Sequence, residues 1–101
     1  MARDAVDLDW DDSNIRRVRR HRIDPAEVQQ VLNNNPLDLD YETESGEERY
    51  KSLGVTDSGR ILVVVWTVRE LKARVVTAYP ASRPLRRLYE QNYKNASNDK
   101  T

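Results

Sequence analysis

The apolar and polar positions of this chain change period several times, and each change marks an element. From Ala5 to Asp9 apolar and acidic residues alternate, the period of a short edge strand. Carboxylates on such an edge discourage the addition of another strand. Asp11, Asp12 or Ser13 can cap a helix behind it, with Ile15 and Val18 forming an apolar stripe at i, i+3. His21 falls at or just past that helix's end. Asp24, Pro25 and Glu27 then supply a cap, a first-turn proline and a third-position glutamate. Val28, Val31 and Leu32 line one face behind them. Three asparagines and Pro36 end the second helix, because proline disfavours helical backbone in the residue before it.

From Leu37 the period becomes two, which predicts a half-exposed strand with Leu37, Leu39 and Tyr41 on one side and Asp38 and Asp40 on the other. Ser45-Gly46 reads as part of a turn. A strand follows over about residues 48–56, and Asp57-Ser58-Gly59 reads as a three-residue hairpin loop. Ile61 to Val68 is apolar on both sides and rich in β-branched residues, as a central strand requires. A turn near 69–71 leads to a strand over 73–79, and Leu85, Leu88 and Tyr89 mark a helix after Pro84. The order β-α-α-β-β-β-β-α predicts an α+β chain, one antiparallel sheet with helices packed on one face. Residues 1–93 form a single domain in this reading, and the polar stretch 94–101 is expected to be disordered.

Composition narrows the chemistry. The 101 residues contain no cysteine and one histidine, which excludes disulfides, thiolate catalysis and zinc sites built on either residue type. No cofactor is expected, since no glycine-rich phosphate loop and no nucleophilic triad is present, and no metal site is expected, since carboxylate-bound magnesium, formally open, has no spacing signal behind it. The longest apolar run is far shorter than the roughly 20 residues that cross a bilayer, and the acidic N-terminal stretch does not resemble a signal peptide. A soluble cytoplasmic protein is the expectation. Seventeen basic and seventeen acidic residues cancel, yet they are segregated: five aspartates in residues 4–12, five arginines in 16–22, six carboxylates in 38–48. Such blocks either pair within the molecule or create a surface with one face suited to phosphates and another to a basic partner.

Several residues carry a chemical and a structural reading side by side. Trp10-Asp11 at a strand–helix junction is a recognition pair or a core tryptophan with a helix cap. His21 is a general acid or base, or a cation at a helix C-terminus. Arg16, Arg17 and Arg20 hold an RNA backbone or form a solvated face; that the run is arginine and never lysine favours phosphate. Arg49 and Lys51 share one side of their strand, with Arg74 joining if the register allows, as a phosphate site or as partners of Glu42, Glu44 and Glu48. Tyr79 can move protons or stack on bases, whereas Tyr89 reads as core.

In this order these residues resemble the BrnT-type toxins of type II toxin–antitoxin systems. The likeness runs from about Leu8 to Tyr89 through Trp10-Asp11, His21 ahead of a β-branched residue and a capped helix, and Gly46-Glu47-Glu48-Arg49. It continues through Gly59-Arg60 and Arg74-Val75-Val76-Thr77-Ala78. The resemblance implies a RelE-like fold and a metal-independent endoribonuclease that inhibits translation. It implies as partners an RNA substrate and a cognate antitoxin with a ribbon-helix-helix DNA-binding domain, with a homodimer left open. His21, Arg49 and Arg74 match positions the family tends to keep, and Tyr79 completes the expected catalytic set; Arg16, Arg17, Arg20 and Lys51 form the expected RNA-binding set. The chain departs from the family at Tyr79, usually arginine, at Leu85, usually glutamate, and at Arg22, usually glycine. Loss of that arginine and glutamate makes an inactive toxin-fold module, binding an antitoxin-like partner and regulating its operon, the alternative.

Overall fold

Leu62, Val63 and Val64 are all fully buried, because the strand that carries them has a layer of helix over each of its faces. The computed structural model describes residues 7–44 and 46–98. In chain order the elements are β1 (Leu8–Asp9), α1 (Asp12–Arg20), α2 (Pro25–Asn33), β2 (Leu37–Glu44), β3 (Glu47–Val55), β4 (Ile61–Arg69), β5 (Lys72–Pro80) and α3 (Arg83–Asn98). The strands form one sheet in the order β1-β5-β4-β3-β2. Pairing is antiparallel from β2 to β5, and the short β1 lies parallel to β5 through Leu8↔Ala73 and Asp9↔Arg74.

Alternation along β4 divides the core in two. Leu62 and Val64 join Val18 of α1, Ile23, and Val28, Val31 and Leu32 of α2, with Trp10 and Trp66 packed at the margin. Val63 and Val65 face the other way, onto Leu53, Ala81 and the α3 side chains Leu85 and Tyr89. The α+β class and the element order match the sequence reading. α1 and α2 share a face as expected, while α3 occupies the opposite one. Leu88, counted in the apolar stripe of α3, stays 38% exposed. α3 continues to Asn98, so it takes in part of the stretch read as a tail. Ala5 and Val6 of the expected edge strand, and Ser45 of the expected turn, lie outside the described residues.

The largest local difference is at β2. A bulge between Asp38 and Asp40 breaks the simple alternation. Leu37 and Leu39 pack on the α3 side, but Tyr41, two residues on, pairs with Tyr50 on the α1/α2 side. There its ring lies 5.1 Å from that of Tyr50, which stacks at 4.6 Å on Trp66. The indole N–H of Trp66 donates to Ser52 at 2.8 Å. Gly54 shows where α2 touches the sheet: a Cβ there would sit 3.0 Å from Val31 Cγ1 and 3.2 Å from the Val31 carbonyl oxygen.

Both early helices start with reciprocal caps. Asp11 accepts from the Asn14 N–H while the Asn14 side chain accepts from the Asp11 N–H, and Asp24 and Glu27 repeat the arrangement. α1 ends in a Schellman turn, in which the Ile23 N–H donates to the Val18 carbonyl at 3.2 Å and the Arg22 N–H to that of Arg19 at 3.0 Å. Arg22 pays for this with φ +60°, a left-handed conformation that suits glycine. Its carbonyl accepts from Arg60, which also binds both carboxylate oxygens of Glu27 at 3.0 and 2.9 Å. Arg22→Gly keeps every backbone bond of the turn. It is expected to raise stability by about 1 kcal/mol, the left-handed penalty less the extra freedom of glycine in the unfolded chain. Urea unfolding measures this; a lowered midpoint would mean that the Arg22 side chain itself holds the turn.

Candidate functional site

Strand register assembles the site. Thr67 pairs with Arg74, and the Thr67 hydroxyl donates to the Glu48 carbonyl at 2.6 Å, next to Arg49. Arg49, Thr67 and Arg74 therefore meet across three adjacent strands, the arrangement that depended on register in the sequence. α1 closes one side. A second bulge, at Val65/Trp66, leaves Val76 of β5 without a register partner, and its carbonyl accepts from Arg17 at 3.4 Å. The result is a cleft of about 120 Å³ whose charged lining is Arg17, Arg49, Arg69, Arg74 and Glu47, with Ser13, Asn14 and Thr67 as polar neighbours.

The four guanidinium groups are not equivalent. Arg74 binds Asp9 at 3.4 Å and makes a closer contact with Asp11, so two carboxylates offset its charge from behind the cleft. Glu47 is shared by Arg49 at 3.4 Å and Arg69 at 3.7 Å. Arg17 hydrogen-bonds a neutral carbonyl. Glu47, Asp9 and Asp11 offset part of the charge of the four cations, Asp9 and Asp11 acting on Arg74 and Glu47 on Arg49 and Arg69. Arg74 instead ties β1 and the cap of α1 to β5. Asp11 strengthens the proton's hold on Arg74, chiefly through their hydrogen bond.

His21 and Tyr79 form a second group. His21 caps the C-terminal end of α1 on an exposed surface, and its ring meets Tyr79 edge-on at 6.2 Å between centroids. Arg17 and His21 are four residues apart on one flank of α1, about 6 Å along the helix axis. That flank follows the outer side of β5 beyond β1, with Arg17 at Val76 and His21 at Tyr79. Of the residues singled out in the sequence, Arg17, Arg49 and Arg74 line the cleft; His21 and Tyr79 stand beside it along β5. Lys51 shares the Arg49 side of β3 but does not line the cleft, and Arg16 and Arg20 lie exposed on α1, also outside the lining. Trp10 packs on the core and Asp11 caps α1, the structural side of that pair's two readings. Thr67, Arg69 and Asn14 escaped the sequence reading. Thr67 and Arg69 have the spacing of one strand side, but nothing in their residue types distinguishes them from solvent-facing positions.

A small mixed sheet with helices on both faces and an arginine-lined cleft at its edge is a scaffold suited to binding phosphate. The chain belongs to the BrnT family, ribonuclease toxins of type II toxin–antitoxin systems, whose family model matches residues 10–84. The match covers the whole cleft as well as His21 and Tyr79, and it ends at the start of α3. A comparison with curated proteins finds no match. Among the described residues no helix is long and apolar enough to cross a membrane.

The Asp11 carboxyl sits below its ordinary value of 3.8, first because it accepts the Asn14 backbone N–H and then because of Arg74. A carboxyl depressed in the fold binds its proton more readily when unfolded. Its contribution to stability is thus present above about pH 4 and is lost as pH falls through the lower folded value. Asp11→Ala is expected to lower the unfolding midpoint at pH 7 and to flatten the decline between pH 4 and 2. Thermal melts across that range test this, and parallel pH profiles for the two proteins would show that Asp11 is not the group responsible.

Proposed function

We propose that the chain cleaves RNA without a metal ion, as an endoribonuclease that inhibits translation, and that its active surface runs from the arginine cleft to His21 along β5. The observation that supports this best is the convergence of Arg17, Arg49, Arg69 and Arg74 on one small cleft inside the segment matched to a ribonuclease family. Cleavage of this kind needs the 2′-hydroxyl proton removed, charge at phosphorus stabilised, and the 5′-oxygen protonated as it leaves. The 2′-oxygen attacks the adjacent phosphorus, the P–O5′ bond breaks, and a 2′,3′-cyclic phosphate results.

Arg49 and Arg17 supply preorganised guanidinium donors for the phosphate, acting where charge builds up in the transition state. Arg74 acts through position: held by Asp9 and Asp11, it fixes the α1 terminus and with it Arg17. His21, one turn beyond Arg17, carries the proton, and Tyr79 sets the face of the imidazole through their edge-on contact. Lys51 extends the cationic surface from Arg49 along β3. The partner expected from family membership is an antitoxin, and the ribbon-helix-helix type is the one we infer. The neutralisation of Arg74 by two carboxylates favours a second reading, in which the cleft is too weakly positive for catalysis and the module only binds its partner.

Incubation of purified protein with a single-stranded RNA oligonucleotide, with product ends identified, separates these readings. His21→Ala is expected to slow cleavage by a factor of about 10² to 10⁴, the range for loss of a general acid or base. Arg49→Ala is expected to cost about 10² to 10³, as for other preorganised donors. Circular dichroism should show both variants folded. Cleavage undiminished in both would remove the site from this cleft, and an inert wild type would leave the binding module.

A further inference from the structure

α1 and α2 leave part of their own sheet face bare. α1 lies over β5, and α2 packs on β3 and β4 near Gly54 and Leu62; the buried pair Ser52 and Val64 marks the limit of that cover. Beyond it, side chains cross β2, β3 and β4 in rows set by register. The first row is Tyr41, Tyr50 and Trp66, whose ring centroids follow one another at 5.1 and 4.6 Å. The second is Thr43 and Glu48, paired across β2 and β3, with Val68 next to them on β4. Tyr41 is 52% exposed and Val68 54%. Large apolar side chains left bare on one face mark a surface that meets another protein.

The charge of these rows selects the partner. Glu48 accepts from the Tyr50 hydroxyl at 3.0 Å, which holds its carboxylate beside the rings, and among the described residues no cation pairs with it. Tyr41 stands at the outer end of the ring row, on the edge strand, and meets one ring only. A guanidinium or ammonium set above Thr43 meets the Glu48 carboxylate across the strand pair and the Tyr41 ring two residues along β2. Ion pair and cation–π contact then act on one group. A phosphate or a carboxylate at that point meets Glu48 instead.

We propose that this bare floor is the docking site of one amphipathic helix of a partner protein, a helix that carries an arginine or lysine two turns from an aliphatic residue. A helix laid there beside α2 completes the helical layer over this face, as a half-covered sheet requires. The spacing agrees. Neighbouring strands lie about 4.8 Å apart, and helix positions i, i+3 and i+7 advance by about 5 and 10 Å. A helix running along the rows therefore sets its aliphatic residue over Val68 and Trp66 on β4 and its cation, seven residues on, at Glu48 and Tyr41. Arg49 and Thr67 alternate with Tyr50 and Trp66 along their strands, so the arginine cleft is on the other side of the sheet. The helix docks without filling the cleft, and the inference stands whether or not the cleft cleaves RNA.

The probe is an alanine-based peptide of about 15 residues, long enough to form a helix, with one leucine and an arginine seven residues after it. Titrated into the full chain labelled with 15N, it is read by NMR at the Trp66 indole N–H, which donates to Ser52, and at the Thr43 and Glu48 amides. Saturable shifts are expected there, with a Kd of about 1 mM or tighter. Glutamate in place of the peptide's arginine should weaken binding at least about fivefold, and Glu48→Gln or Tyr41→Ala in the protein about two- to fivefold each. Circular dichroism should show both variants folded. Arginine and glutamate peptides that bind alike, or no shift with about 1 mM of the arginine peptide, overturn the proposal. Displacement of the peptide by a single-stranded DNA oligonucleotide, which lacks the 2′-hydroxyl and survives the titration, would assign the floor to nucleic acid. The same shifts on concentrating the chain alone would assign it to a second copy. Either result overturns the proposal as well.

Discussion

The contact of Arg74 with Asp9 and Asp11 sets the geometry of everything on the β5 side of the molecule. β1 is two residues long and cannot hold itself in a sheet by backbone pairing alone. Arg74 adds an anchor from inside β5 to the strand, through Asp9, and to the first cap of α1, through Asp11. Because the same aspartate caps the helix and binds the strand, the start of α1 is fixed in both position and direction. The arginine flank then falls along β5 rather than away from it. Asn14 reinforces this, donating to the Asp9 carbonyl at 3.2 Å while completing the capping box.

Two bulges convert that frame into distinct surfaces. At Val76 the extra residue of β5 turns a carbonyl toward Arg17, which binds α1 to a strand edge that β1 leaves uncovered. At Leu39 the extra residue of β2 brings two leucines to the α3 side and still delivers Tyr41 to the other. Without that shift Tyr41 would lie on the α3 side, and the ring stack on Tyr50 and Trp66 would end one strand short of the edge. Each bulge thus spends a little ladder regularity to place a functional group.

Much of this was legible in the chain. The Asp24-Pro25-Glu27 cap, the doubly apolar β4 and the turn residues at 57–59 state their elements through local chemistry, and the structure has them there. The Leu39 bulge was not legible, since Leu37, Leu39 and Tyr41 satisfy a regular alternation as written. Nor was the side chosen by α3, because Leu85 and Tyr89 say only that one flank is buried. For the cleft, Arg17, Arg49 and Arg74 were identified by type, but their meeting depends on the pairing of β3, β4 and β5. The two carboxylates that restrain Arg74 come from more than 60 residues away, where aspartates read as an acidic edge and a cap.

The same segregation of charge that sums to zero over the chain explains why the molecule can have two surfaces of opposite use. Asp9 and Asp11 from the N-terminal segment pair with Arg74, which offsets their charge although both side chains keep about two-fifths of their surface exposed. Among the described residues, Asp38 and Glu48 on the α1/α2 face have no basic partner comparable to Arg74. Glu48 is engaged by a phenol, and in doing so it raises the Tyr50 hydroxyl above its ordinary range, with burial a smaller cause, while the Tyr50 ring stacks on Trp66. A phosphate approaching that face meets carboxylates, whereas a guanidinium meets carboxylates and ring faces together. On elementary electrostatics the arginine cleft suits an anion, whereas the rings of Tyr41 and Tyr50 beside Glu48 suit a cation.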